Sequence, residues 1–241
     1  MIQNYSKRLG FTLVELLVCI SIIAILASIL LVAIGAVRES AKESKSLSNL
    51  RQIATAMQMH TSENNGLYPP GYFYKQGEGE RIWMVELIPY IAQISDSNSS
   101  VDNVFVSPLV DQEIREGDLE NGVIPSTYSV HGGLCPNISN VDSRIPYWNI
   151  LNPSDIIIAG EATLRSNNTY ASATFSTPSA FKTIGVEADL DAPIPTDTSD
   201  DGIGGALSYR ADGSAPVAFV DGHVESIPKG SVLYKNIVIR K

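Results

Sequence analysis

The sequence predicts an α+β fold: a long N-terminal helix, apolar enough in its first half to span a membrane, packed through its second half on a globular head with a mainly antiparallel sheet. Two observations predict the helix. An uncharged apolar run near the N-terminus continues, with no glycine-proline break, into a polar stretch rich in helix formers. A third predicts the head, where short β-branched segments end in glycine, in polar residues or in Asp-Gly pairs, as strands and hairpins do.

From Leu16 to Val37 there are 22 residues without a charge or a proline, and the only hydroxyls among them are Ser21 and Ser28. At 1.5 Å per residue this is about 33 Å of helix, close to the thickness of a bilayer's hydrocarbon core. A cleaved secretory signal has a shorter apolar region of about 7–15 residues. A core helix would carry a polar stripe, which this run lacks. Lys7 and Arg8 precede the run and Arg38, Lys42 and Lys45 follow it, so the charge bias alone leaves the orientation open.

Glu15 stands inside the apolar stretch. A carboxylate deep in a bilayer costs about 2.5–3.5 kcal/mol on insertion scales and less near the interface. Two readings follow. Glu15 sits at the headgroup boundary and snorkels, or it meets a cation at its own depth. No Lys, Arg or His lies between Phe11 and Val37, but a cut after Gly10 would create one in the α-amino group of Phe11. Within one helix that amine and Glu15 would lie about one turn apart; between chains, the amine of one could meet the carboxylate of the next.

Beyond Val37, Leu47, Leu50, Ala54, Met57 and Thr61 recur three or four apart and predict one narrow packing face. Met57 and Met59 read as ordinary packing. Asn64, Asn65 and Gly66 supply the stop, and Pro69-Pro70 prevent continuation. A helix from Phe11 to Glu63 would have 53 residues and a length of about 80 Å.

In the head, the stretch from Glu80 places Trp83, Leu87, Tyr90 and Ile94 at helical spacing and predicts a short helix that Pro89 bends or restarts. "STYSVHGG" and "SDIIIAGEAT" read as strands. "ALSYRADGSAPVAFVDGHVESI" reads as two strands joined by a turn around Asp212-Gly213. Asp221-Gly222 is a further hairpin turn, since both residues tolerate positive φ. Between Thr163 and Gly205 the composition shifts to Ser, Thr, Asn, Asp and Pro, as expected of a long surface excursion.

With 17 Lys+Arg against 26 Asp+Glu and a net charge of −9, the chain lacks the basic footprint of a nucleic-acid partner. Cys19 lies in the apolar run and Cys135 far along the chain, so both thiols are expected to be free. There is no His-Glu-x-x-His, Cys-x-x-Cys, Gly-x-Ser-x-Gly or phosphate-binding glycine loop, and nothing argues for an enzyme. His60 and His131 read as solvated polar residues.

Gly10, Phe11, Thr12, Leu13, Val14, Glu15, Leu16 and Leu17, after a short leader with Lys7 and Arg8, resemble the class III signal of type IV pilins and type II secretion pseudopilins. The resemblance implies that a membrane prepilin peptidase cuts after Gly10, that Phe11 becomes the N-methylated terminus, and that Glu15 serves subunit assembly. Residues 1–10 would then be a leader, 11–37 a transmembrane helix, 38–65 its extracytoplasmic continuation and 66–241 the head, with a variable loop at about 163–205. Loss of Lys7 and Arg8 leaves 15 cations against 26 anions, a charge of −11. Many members have a proline within the apolar helix, whereas this run has only Gly35.

"APVAFVDGHVESIP" is similar to the Asp-Gly-His-Val ending of a large bacterial subgroup of pilin-like proteins. Its usual histidine ten residues before the aspartate is replaced here by Ala211. "NLRQIATAMQMH", "GLYPP" and "NPSDIIIAGEA" resemble the same subgroup. Asp221, Gly222 and His223 are read as a structural motif. Major secretion pseudopilins hold calcium in a late loop, and calcium takes six to eight oxygen ligands. Asp197, Asp200 and Asp201 are the residues here that could supply some, beside the reading of a solvated acidic loop; the spacing of an EF-hand is absent.

The resemblance thus implies a membrane-inserted prepilin that assembles with other pilin or pseudopilin subunits on an inner-membrane platform, its head outside the cytoplasm. A type II secretion pseudopilus is the expected filament, with a type IV pilus, major or minor, as the alternative. The competing class is an uncleaved, signal-anchored extracytoplasmic binding protein.

Overall fold

The computed structural model describes residues 13–75, 79–91, 104–110, 126–138, 144–163, 174–175, 190–194 and 207–239. Gly10, Phe11, Asp197, Asp200, Asp201 and Ile94 lie outside them. The elements run α1 (Leu13–Glu63), β1 (Tyr72–Lys75), β2 (Gly79–Ile82), α2 (Trp83–Leu87), β3 (Tyr128–His131), β4 (Asn137–Ile138), β5 (Ile157–Glu161), β6 (Thr174–Phe175), β7 (Ser214–Phe219) and β8 (Val224–Pro228). The chain divides into two compact units, one ending at Ala41 and the other beginning at Lys42.

In the first unit α1 exposes apolar side chains around its circumference, from Leu13, 87 % exposed, to Val37, 67 % exposed. The two hydroxyls of the apolar run bond within the helix, Ser21 to the Val18 carbonyl at 2.8 Å and Ser28 to that of Ile25 at 2.7 Å. The helix therefore meets its surroundings almost wholly through hydrocarbon, and it is long and apolar enough to cross a membrane.

In the second unit α1 ends where Asn64, Asn65 and Gly66 predict. Asn65 and Gly66 take φ of 53° and 74°, and the Gly66 amide bonds back to the Thr61 carbonyl at 2.8 Å. The packing face is wider than the narrow stripe read from the sequence: Leu50, Ala54, Met57 and Thr61 are buried, and so are Ile53, Ala56, Asn49 and His60. Leu47 is half-buried, and Met59 is exposed.

Among the described residues, two sheets build the head. The smaller has the order β2-β1-β4, with β1 antiparallel to β2 and parallel to β4. The larger has the order β6-β3-β5-β7-β8 and is antiparallel except for the β3–β6 pair. Along β5 and β7, neighbouring side chains enter different cores. Ile158 and Ala218 join the cluster that holds Leu50, Ile53, Met57, Trp83 and Phe105, while Ile157 and Val217 join Phe175, Ile194, Val232 and Ile237. Burial on both faces explains the unbroken apolar run of β5, which lacks polar alternation.

Three readings are corrected. Glu80–Ile82 belong to β2, opposite Tyr72–Tyr74, and the helix starts only at Trp83, followed by a 3-10 turn over Ile88–Tyr90 that contains Pro89. Asp212-Gly213 does form a turn, bridging Ala211 to Ser214, but the described residues of the preceding segment form an isolated bridge, Leu207 to Ala162, in place of a strand. The two long strands are instead β7 and β8, joined through Asp221-Gly222. Within 163–205, Phe175 and Ile194 are buried, so this stretch also feeds the second core.

Candidate functional site

Glu15 lies in the first turn of α1, exposed among Leu13, Val14, Leu16 and Leu17. A carboxylate at an N-terminal turn is favoured by the positive end of the helix dipole, and a charge within an apolar surface favours any site that offers it a cation. Gly10 and Phe11 lie outside the described residues, so the distance from Glu15 to the Phe11 amine is not part of the geometry.

The Asp221-Gly222-His223 stretch is a hairpin turn built by hydrogen bonds. Gly222, at φ 94°, bonds from its amide to the Phe219 carbonyl at 2.9 Å, and the Phe219 amide bonds to the His223 carbonyl at 2.9 Å. Asp221 Oδ1 accepts from the His223 amide at 3.1 Å and lies 2.6 Å from His223 Nδ1. The imidazole stacks on Phe219, 4.1 Å between ring centres and 8° between planes. The amides of Val220 and Asp221 bond to the carbonyls of Ile156 and Pro153, so the turn is laid against the start of β5. Asp221 Oδ1, the Gly222 backbone and the His223 ring thus each have a local structural task.

The sequence gives little warning of the most buried charge among the described residues. Glu161, at the end of β5, has a fully buried side chain. Its Oε1 accepts from Arg210 Nη1 at 3.0 Å, and its Oε2 from Ser107 at 2.9 Å and from Ser46 of α1 at 3.4 Å. The Ser46 hydroxyl also meets the Tyr128 hydroxyl at 3.0 Å. Desolvation pushes the Glu161 pKa up, against the opposing pull of Arg210 and the hydroxyls. The same burial raises that of Tyr128. Enclosed this way, the carboxylate ties the Ser46 turn of α1 to the sheet. Ser226 of β8 adds a hydrogen bond to Glu43 of α1. The only signal in the sequence was an acidic residue at the end of the apolar run "IIIAGE".

The histidines are corrected. His131 is buried, with Nε2 donating to the Ile237 carbonyl at 2.7 Å and Nδ1 accepting from the Gly133 amide at 3.0 Å. Burial lowers its pKa to about 4. His60 is buried too, beside the Leu67 carbonyl at 3.2 Å, and desolvation lowers its pKa. Cys19 and Cys135 are free thiols, the latter in the core. Asp191, six residues before Asp197, pairs with Lys235 at 2.8 Å. Among the described residues no group of three His, Cys, Asp or Glu gathers to hold a metal.

Two family descriptions match the chain. "Prokaryotic N-terminal methylation motif" matches residues 5–31, and "Protein of unknown function (DUF1559)" matches residues 35–183, more than half of the chain. No curated protein and no solved structure matches it.

Proposed function

The chain belongs to the family described as protein of unknown function (DUF1559) and carries a type IV pilin-like prepilin signal, and from these premises we propose that it is a filament subunit whose role is assembly rather than catalysis. It is made as a membrane-inserted prepilin, cut after Gly10 by a prepilin peptidase and N-methylated at Phe11. The helix holds it in the cytoplasmic membrane as a single span, with the head outside. The observation that carries the reading is the apolar surface of α1 from Leu13 to Val37, interrupted by the carboxylate of Glu15. Such a surface is satisfied by lipid before assembly and by other apolar helices after it.

In the assembly step, the Phe11 amine of one subunit neutralises Glu15 of its neighbour as the helices leave lipid for the filament core. Pairing with a cation lowers the cost of a charge in an apolar medium, so the pair sets the register of each added subunit. The proposed filament is a type II secretion pseudopilus, built with other subunits on an inner-membrane platform. A type IV pilus uses the same signal, and electron microscopy of sheared cell surfaces separates long pili from short pseudopili. Calcium at Asp197, Asp200 and Asp201 is proposed only as a ligand of the head. Calorimetric titration with Ca²⁺, before and after Asp200→Asn, tests it.

The experiment for the assembly step is Glu15→Ala expressed with the native peptidase. Processing should stay intact while incorporation into filaments falls at least about tenfold, which corresponds to about 1.4 kcal/mol per added subunit. Normal incorporation would contradict the pairing.

A further inference from the structure

The head carries an open cleft of about 440 Å³ at the C-terminal end of α1, lined in part by Gln58, Ser62, Tyr68, Tyr147, Trp148 and Asp221. This volume is within the range of small-molecule sites. Neither the prepilin signal nor the assembly step uses it.

Its aromatic wall is held in place although it faces water. Tyr147 and Trp148, 48 % and 59 % exposed, sit edge to face at 5.4 Å in a 3-10 turn. The Tyr147 amide bonds to the Gly66 carbonyl at 2.9 Å. The benzo ring of Trp148 is seated on Gly66 itself, where a Cβ would fall 2.0 Å from Cζ3. The left-handed glycine that ends α1 therefore also makes room for the indole.

The polar groups opposite are mostly uncharged. Gln58 projects from an exposed position of α1, its amide against Gly222 of the hairpin turn, and offers a donor and an acceptor on one planar group. Ser62 is exposed nearby, its hydroxyl donating to the Met59 carbonyl at 2.7 Å. Asp221 supplies acceptor oxygens, but Oδ1 already holds His223. A ligand that fits needs an apolar face to lie on an indole and hydroxyls to exchange hydrogen bonds with a carboxamide, a phenol and a carboxylate. A pyranose ring has both. A cation would favour an aromatic cage with an unengaged carboxylate, and this carboxylate is shared with an imidazole.

We propose that this cleft binds a neutral oligosaccharide, with one sugar ring stacked on Trp148 and its hydroxyls on Gln58, Tyr147 and Asp221. The inference is independent of the filament reading, since it rests on residues of the second unit alone.

The test is isothermal titration calorimetry of the full chain in lipid nanodiscs, because maltoside detergents would present the same chemistry. The probes are cellotetraose, chitotetraose and maltotetraose. At least one should give a saturable heat that is unchanged by added salt, as expected for an uncharged ligand. Trp148→Ala and Gln58→Ala should each raise its Kd at least about tenfold, the scale of truncating an aromatic anchor or a central polar contact. Gln58, on the exposed side of α1, provides a variant that leaves the core intact, and circular dichroism checks both folds. No heat from any probe at millimolar concentration would overturn the proposal, as would binding that survives both substitutions. Loss of self-association in Trp148→Ala without any saccharide binding would also overturn it, assigning the wall to contact between subunits.

Discussion

Arg210 donates from Nη1 to Oε1 of Glu161 at 3.0 Å, and the carboxylate it reaches is fully buried while the Arg210 side chain keeps about a quarter of its surface in water. The pair joins the end of β5 to the turn before β7. Through Ser107 and Ser46 the same carboxylate reaches α1.

Removing one partner should therefore cost more than removing both. Arg210→Met leaves an uncompensated buried charge and should destabilise the head by about 3 kcal/mol, the low end for a broken buried pair because Arg210 is partly hydrated. Adding Glu161→Gln should restore much of the loss. Urea unfolding followed through Trp83, which is buried in the core, measures both; equal loss in the single and double variants would contradict the network.

Acid should weaken the head through His131. Its pKa falls from 6.5 to about 4 on folding, so its contribution is present above 6.5 and is lost as the pH drops from 6.5 toward 4, by about 3 kcal/mol in total. His60, also lowered, acts in the same direction. Glu161 opposes them: its raised pKa means that protonation, as the pH falls through that raised value toward 4.5, relieves a cost borne at neutral pH. The His131→Gln variant should start less stable at pH 7 yet lose less stability between pH 6.5 and 4. Thermal unfolding across that window reads the difference in slope.

Gly66→Ala should destabilise the head by about 2 kcal/mol, because it imposes a side chain at φ 74°. It should also unseat Trp148, whose ring a Cβ would overlap. A change in the fluorescence of the exposed tryptophan at unchanged helix content would verify the second effect, and an unaltered spectrum would refute it.

Gly10→Val should leave uncut precursor in the membrane, since a peptidase that reads a glycine before the cut has no room for a branched side chain. An immunoblot should show the longer form only. Full processing would mean that Gly10 is not the cleavage residue.

Much of the architecture was legible because one period governs each element. The stripe from Leu50 to Thr61 and the stop at Asn64, Asn65 and Gly66 needed only local rules. The run "ERIW" was read as helix because its apolar spacing suits a helix, and pairing with Tyr72–Tyr74 decided otherwise for its first three residues. His131 looks solvated in the sequence, since its partner is a carbonyl 106 residues away that no local pattern reveals. Glu161 and Arg210 are 49 residues apart and meet only across the sheet. Trp148 stood in a short segment, "PYWN", without periodicity, and its role emerges only with Gly66 beneath it. The methylation motif over residues 5–31 is legible as a linear pattern that needs no fold, and the roles proposed for Gly10, Phe11 and Glu15 rest on that pattern.

The central claim is tested most directly by mass spectrometry of the N-terminus of the protein extracted from membranes that contain the peptidase. The chain should start with N-methylated Phe11. An intact Met1, or a cut at any other position, would contradict it.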